Sequence, residues 1–537
     1  MLRKINIWFL AILMIAVTGC SEDFLETKPT DAISAADALS SPANMILILN
    51  GLHRQMFAQS PIPGGSNSRA GEHYFIPMGD MITGNIIHSA PGNGWFRGEL
   101  RWLTHTNETS LTVEQLWYQR YHFIASSNAI INQVAEDDLI IDAELSNVLG
   151  QAHAYRAWSY YRLISHYAKG YIIGNPSSDP GVPLLFASEA PFESQPRSTV
   201  EAIYNQMEID IDQAIAYFEN ASSPDNKSHL SINSAYGIKA RIALSKGDWA
   251  TAASAAVMAR DGFSLLDESD WKSGFNTYDL SEVIWGGQVI DAETTYFRSY
   301  FYLISNTFNG SQNRGNPKLF NSERYNQIPD TDYRKDVVLP LAPNTNSSAS
   351  NGEGGSYETD PNYDNEEDFE SAYDAIIETY GMTTRHNTHP YMCMKFLQKN
   401  PGTIDPDDVI YMRSSEMYLI EAEAKAMLDD IPGAQAALAP LGSARDTAYD
   451  ETAFNTQADL IDHIKFQYAI ELYGEGFSYT NHIRWDDAID LTNSGASEVY
   501  YQDGFMQDKP SVNDNWIFKI PQAEIDANPN ISPSDQN

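Results

Sequence analysis

INSAYGIKARIALSKGDWATAASAAVMARDGF, residues 232–263, reads as a helix, a tight Gly247-Asp248-Trp249 turn and a second, Ala-rich helix. The methyl side chains of Ala240, Ala243, Ala252 and Ala256 fall where two such helices face each other, so the backbones can approach closely. Trp249 stands at the start of the second helix, where its ring covers the end of the contact. A comparable unit recurs at SSEMYLIEAEAKAMLDDIPGAQAALAPL, residues 414–441, with its turn at Asp429-Asp430-Ile431-Pro432-Gly433.

Helix, short turn, Ala-rich helix is the pattern of tetratricopeptide units. The spacing between the two copies is irregular, which excludes a continuous solenoid and points to helical pairs interrupted by insertions. Other long helices are legible around them. In residues 110–134, Leu116, Phe123 and Ile130 recur every seven positions, with Ile124 and Ile131 widening the stripe. Residues 145–170 form a second helix, rich in Ala and aromatics and closed near Gly170, and residues 198–220 a third. The third has Ser198 as its expected N-cap and Glu201 as capping-box partner. Two stretches, 59–110 and 264–410, lose helical periodicity and fill with Gly, Pro, Asn and aromatics. The fold class expected is therefore mainly α: tetratricopeptide-like pairs as scaffold, with long loop-rich insertions.

The first residues, MLRKINIWFLAILMIAVTGCSED, have a different character. A basic start at Arg3 and Lys4, a short apolar core and small residues before Cys20 describe a secretory signal. The apolar run falls short of the ~20 residues a spanning helix needs. A cysteine at the cleavage point looks like a bacterial lipobox, so Cys20 is the expected lipidation site. Residues 1–19 read as signal peptide, 20–40 as a lipidated tether and 41–537 as one helical domain. Several acyl chains, at ~0.8 kcal/mol per buried CH₂, anchor such a protein permanently.

The formal charge is −38, from 34 basic and 72 acidic residues. A field of that sign repels nucleic acid, and nucleic-acid binding is excluded on that ground. With Cys20 lipidated, Cys393 alone remains, so no intramolecular disulfide forms; flanked by Met392 and Met394, it reads as a small buried hydrophobe. Aromatics make up 12% of the chain, enough for a core and also for a ring-lined face suited to sugars or peptides.

Catalytic signatures are missing: there is no HExxH, GxSxG, P-loop or CxxC. The polar stretch 343–371 reads as a loop, and its Asp360, Asp364, Glu366, Glu367 and Asp368 lack EF-hand spacing, so they read as a solvated acidic loop rather than a Ca²⁺ site. His386 and His389 have no metal-ligand companion nearby in sequence. No metal or other cofactor is expected. A glycosidase acid pair is defined in space, and sequence does not reveal one.

Taken in order, these motifs resemble the SusD/RagB-like outer-membrane nutrient-uptake lipoproteins of Bacteroidetes. The carriers are the CSEDFLETKP opening, HAYRAWSYYRLISHYAKG with PGVPLL after it, IYMRSSEMYLIEAEAKAML, and above all the C-terminus WIFKIPQAEIDANPNISPSDQN. In that last segment Ile520, Pro521, Glu524, Asn528, Pro529, Gln536 and Asn537 match the family's closing pattern. One block departs: in FQYAIELYGEGFSYTNHIRWDD, Glu471, Leu472, Glu475, Gly476, Arg484 and Trp485 persist. Gln467, Tyr468, Ser478, Asn481 and His482 stand where relatives carry other residues, which suggests a divergent subfamily.

The resemblance implies a non-enzymatic, lipid-anchored protein displayed on the outer face of the outer membrane. It would capture an oligosaccharide or polysaccharide and pass it to a SusC-like TonB-dependent transporter. Peptide cargo within the same family, or a secreted glycan-degrading enzyme, are the alternatives. Starch-binding relatives place a Trp on a loop of the N-terminal insertion; here Trp95 in APGNGW is the first choice, with Asp80, Asn93 and Trp102 around it. Trp285, Tyr296 and Tyr300 are further candidates, from a strand-like part of the second insertion.

Overall fold

The computed structural model describes residues 35–58, 71–88, 94–137, 139–187, 193–224, 226–290, 299–346 and 354–537. Its frame is a run of packed helices. Leu111–Glu136 packs on Ala143–Tyr167, which packs on Val200–Phe218, then Ile232–Lys246 and Trp249–Ala259. The next neighbour of Trp249–Ala259 is Ser414–Met427, followed by Ile431–Arg445 and Gln457–Glu471. The two Ala-rich pairs thus stack on each other although a long insertion separates them in sequence.

Both turns are built alike. Gly247, at φ +81°, ends the first helix of one pair, and Asp248 caps the next by accepting the Thr251 amide at 3.2 Å. In the second pair Asp429 takes the left-handed conformation at φ +61°, and Asp430 accepts from the Gly433 amide at 3.0 Å. Ala240, Ala252 and Ala256 are fully buried and Ala243 nearly so, as close helix approach requires.

The two insertions meet. Ile86–His88 of the first pairs antiparallel with Lys318–Phe320 of the second, in register Ile86 to Phe320 and His88 to Lys318. That strand continues to Met392–Cys393 and Val338–Leu339 in a four-stranded sheet. A second ribbon, Val283–Gly287 with Val409–Arg413, leads back into the scaffold.

Four sequence expectations are corrected. Thr199, not Ser198, caps the Val200–Phe218 helix, accepting from the Ala202 amide at 3.2 Å; Ser198 lies in a strand pairing with Pro180–Pro183. The first insertion contains a helix, Glu72–Ile82, every residue of which is buried and which holds Pro77. A helix buried on all sides has no amphipathic stripe to read. Glu366, Glu367 and Asp368 are not loop residues but the first turn of the Glu366–Thr379 helix, where the helix dipole favours acids. Asp360 is buried, accepting from the Asn344 amide at 2.7 Å and the Asn362 amide at 3.0 Å.

The C-terminal segment is a clasp. Glu524 accepts from the Trp117 indole at 3.3 Å, and the Gln536 side chain bonds both the amide and the carbonyl of Ile520, at 2.7 and 2.9 Å. The Asn537 amide donates to Tyr167 and Phe518 carbonyls. The signature residues thus tie the chain end across the Leu111–Glu136 and Ala143–Tyr167 helices.

The divergent block is a buried charge network. Glu471, fully buried, accepts five hydrogen bonds, from Arg334, Arg413, Arg445 (two) and the Trp271 indole. Glu475 bonds Arg413 and Lys395, and Glu282 bonds Arg413 and Arg445. With Asp332 on Arg334, four acids offset four bases. The unusual residues fit this frame: Gln467 accepts from Arg334 at 2.8 Å, Asn481 from Arg484 at 3.2 Å, and His482 stacks on Trp516 at 5.8 Å. Among the described residues no helix is long and apolar enough to cross a membrane.

Candidate functional site

Trp95 sits where the two insertions join. Gly94, at φ +91°, and Phe96, at φ +60°, bracket it in left-handed backbone, a conformation costly for a bulky residue such as Phe96. The short helix Arg97–Leu100 follows, and Trp102 repeats the conformation at φ +60°. Phe96 stacks on Tyr74 at 5.2 Å inside the core, while Trp95 stays half-buried. Its indole lies edge-on to Tyr302 of the second insertion, centroids 5.5 Å apart at 74°. Tyr302 is itself braced by Phe308 at 5.6 Å.

The other expected ligand residues are placed differently. Asp80 is fully buried; its carboxylate accepts from the Gly474 amide at 2.6 Å and the Ser478 amide at 3.1 Å. Burial pushes its pKa up to about 6 against those two donors. Asp80 therefore pins the turn after Glu471 to the Glu72–Ile82 helix. Trp102 is buried edge-on to Trp516 at 4.8 Å and donates to the Ile82 carbonyl at 3.0 Å. Trp285 is buried against Tyr411 and Trp158, and Tyr300 against Phe396, its hydroxyl donating to the Gly474 carbonyl at 2.8 Å. In this structure these four side chains serve packing. Asn93, Tyr296 and Cys20 lie outside the described residues.

Sequence reading missed the buried polar groups near Phe96. His88 meets the Phe96 ring edge-on at 6.2 Å and accepts the Asn316 side-chain amide at Nδ1, 2.9 Å away. That bond leaves the proton on Nε2, which has no partner among the described residues. Burial, then the neighbouring Lys318, holds the ring neutral, well below its ordinary pKa. Burial also brings Lys318 down to about 7; its ammonium donates to the Asn316 carbonyl at 2.7 Å. Both amide atoms of buried Gln312 are without a partner among the described residues. Tyr302, Gln312 and Asn316 had one signal only, their place in the second insertion. These polar groups lie in the interior, 0–1% exposed, so the part of the site open to a ligand is the partly exposed Trp95 ring.

Other candidates resolve into structure. His386 bonds the Phe308 carbonyl at 3.0 Å and His389 the Pro390 carbonyl at 3.0 Å. Cys393 is buried in a strand, and burial pushes its thiol up to about 11. Among the described residues no group of three or more His, Cys, Asp or Glu is arranged to hold a metal ion.

Comparison with known proteins agrees with this architecture. Residues 218–537 match the model of the SusD family. Residues 79–244 match a related SusD-like model described as starch-binding and associating with the outer membrane. No curated protein matches. Among solved structures, the chain resembles a SusD-like carbohydrate binding protein from Bacteroides vulgatus ATCC 8482, with a TM-score of 0.72 at 21% identity, covering 92% of this chain and 98% of that one. It also resembles a SusD superfamily protein from Bacteroides thetaiotaomicron VPI-5482: TM-score 0.69, 19% identity, 93% and 99% coverage. Surface glycan-binding protein A from Bacteroides thetaiotaomicron, solved in complex with laminarihexaose, is similar at a TM-score of 0.63 and 14% identity, with 91% and 98% coverage. At these identities the likeness establishes the fold.

Proposed function

The chain belongs to the SusD family, and on that premise we propose that it is a cell-surface lipoprotein that binds an extracellular oligosaccharide or polysaccharide and delivers it to a TonB-dependent outer-membrane transporter of the SusC type. Residues 1–19 are removed, Cys20 carries the lipid, the residues to about 40 tether the fold, and 41–537 form one SusD-like domain; the lipobox-like start supports this reading. Binding is the whole activity. The sequence carries no HExxH, GxSxG or P-loop signature, and the buried Glu72, Asp210, Glu416, Glu471 and Glu475 are committed to arginines and lysines.

The observation that carries the glycan reading is Trp95. It stays partly exposed between left-handed Gly94 and Phe96 and is held edge-on by Tyr302, while Trp102, Trp285 and Tyr300 are buried. A ring so placed stacks on the C–H face of a sugar. The nearby Asn93 is proposed as a polar partner. The test is calorimetry of the protein lacking residues 1–20 against plant, host and microbial glycans and a peptide digest, with product analysis alongside. Saturable glycan binding without cleavage is expected. Cleavage, or binding of peptides with silence on every glycan, overturns the proposal.

A further inference from the structure

A cavity of about 350 Å³ opens between the Gln457–Glu471 and Ser478–Trp485 helices and the short Ser322–Tyr325 helix. Neither Trp95 nor Tyr302 lines it. Four of the five residues that set the divergent block apart do: Tyr468, Ser478, Asn481 and His482.

The hydrogen-bonding sense of this lining runs one way. Asn321, 5% exposed, spends its side-chain oxygen on the Glu323 and Arg324 amides, at 3.1 and 3.2 Å. Asn481, equally buried, spends its oxygen on Arg484 Nε at 3.2 Å. Each is left with an NH₂ group to offer. Half-buried Arg324 gives one N–H to the Asn85 side-chain oxygen at 2.6 Å, and its guanidinium holds no carboxylate among the described residues. Acceptors are used up on the protein, and donors are left over.

The acids around the cavity do not offset this guanidinium. Asp487 is taken by Lys465 at 2.7 Å, and Asp490 accepts from the Thr492 amide and hydroxyl. Glu323 and Asp462 are exposed to solvent. Asp80, whose field also reaches Arg324, is committed to the Gly474 and Ser478 amides. Burial lowers the Arg324 pKa against the opposing effect of Asp80 and Glu323. Burial and then the Arg324 charge bring the neighbouring His482 down to about 4, so the lining is locally positive although the chain as a whole is acidic.

A guanidinium with unspent N–H groups matches a planar carboxylate, whose two oxygens accept paired donors, better than it matches a lone hydroxyl. The asparagine NH₂ groups add donors for further oxygens, and the exposed acids repel a ligand carrying several negative charges. Pockets for small ligands start at ~300 Å³, so this one takes a group the size of a single sugar ring.

We propose that this cavity binds a hydroxylated monocarboxylate of hexuronate size, with Arg324 holding the carboxylate and Asn321 and Asn481 donating to its other oxygens. The site is separate from Trp95 and does not depend on glycan binding there. Its ligand has two sources, an acidic residue of a glycan or a free hydroxy acid, and the probes distinguish them. Methyl glucuronide, gluconate and the neutral methyl glucoside are titrated calorimetrically into the protein lacking residues 1–20. Methyl glucuronide is expected to bind at least about tenfold tighter than methyl glucoside, the scale of hydrogen bonds to a charged group. Gluconate binding as tightly as the glucuronide assigns the site to free hydroxy acids, and weaker binding assigns it to glycans. Arg324→Gln loses at least tenfold. Asn321→Asp keeps the oxygen that both amides need, so its unfolding midpoint holds while its added charge also costs at least tenfold. Trp95→Ala leaves this binding unchanged. Equal binding of glucuronide and glucoside, a folded Asn321→Asp protein that binds as the wild type does, or loss of the glucuronide in Trp95→Ala overturns the proposal.

Discussion

Replacing Glu471 with Gln changes one buried charge while keeping the side chain's shape. The carboxylate is fully buried and takes five hydrogen bonds, four of them from three arginines. Glutamine offers one acceptor oxygen, and its NH₂ must face guanidinium N–H groups. Four acids then become three against four bases, and a positive charge is left uncompensated in the interior. Breaking a buried pair by removing one partner costs ~3–5 kcal/mol, a hundredfold or more in the folding equilibrium. Urea unfolding followed by tryptophan fluorescence reads this directly. The exposed pair Lys272–Glu268 is the control: Glu268→Gln changes stability by less than ~0.5 kcal/mol. Glu471 has a pKa held well below the ordinary carboxylate value by Arg445, Arg413 and Arg334 against the opposing effect of burial. Its contribution is therefore present above the unfolded pKa of about 4.5 and is lost as pH falls through the lower folded value, so the acid limb of the wild type is steeper than that of Glu471→Gln. A loss under ~1 kcal/mol, or identical acid limbs, would refute the reasoning.

Asp80 carries the opposite sign. Its folded pKa of about 6 lies above the ordinary 3.8, so stability falls as pH rises through that window, by on the order of 3 kcal/mol in all. Asp80→Asn removes that slope in unfolding curves taken from pH 4 to 7; an unchanged slope contradicts the assignment. Ala256→Leu forces extra methyl groups into the close contact between the two helices of the first pair and costs ~1–3 kcal/mol by the same urea assay. Cys393, buried and with its thiol pushed up to about 11, stays unalkylated by iodoacetamide in folded protein lacking residues 1–20 and reacts once urea is added; rapid native labelling would show an open strand.

The scaffold was legible because its signals are local. A glycine or aspartate in left-handed backbone, an aspartate cap and facing alanines mark each helical pair, and all lie within some thirty residues. The C-terminal motif was legible as a pattern, but its reason was not: Glu524 reaches Trp117 across more than four hundred positions. The Glu72–Ile82 helix escaped notice because uniform burial erases amphipathic periodicity and Pro77 reads as a breaker. At the site, sequence put Trp95 first through its glycine-flanked turn, with Trp102 among the residues around it, but carried no sign of how deeply either ring is buried. Both are aromatic, and both positions lie close to short turns; what separates them is long-range packing, Trp102 buried against Trp516 and Trp95 edge-on to Tyr302. Tyr302, His88 and Lys318 were invisible because the sheet that joins the two insertions is set by long-range pairing.

The most direct test of the account is glycan titration of three proteins in parallel: wild type, Trp95→Ala and Trp102→Ala. The account predicts that Trp95→Ala weakens binding at least tenfold and leaves the melting temperature within a few degrees. Trp102→Ala instead destabilises the fold by ~3–5 kcal/mol. Unaltered glycan affinity in Trp95→Ala, or a large loss of stability there with no loss of binding, would contradict the central claim.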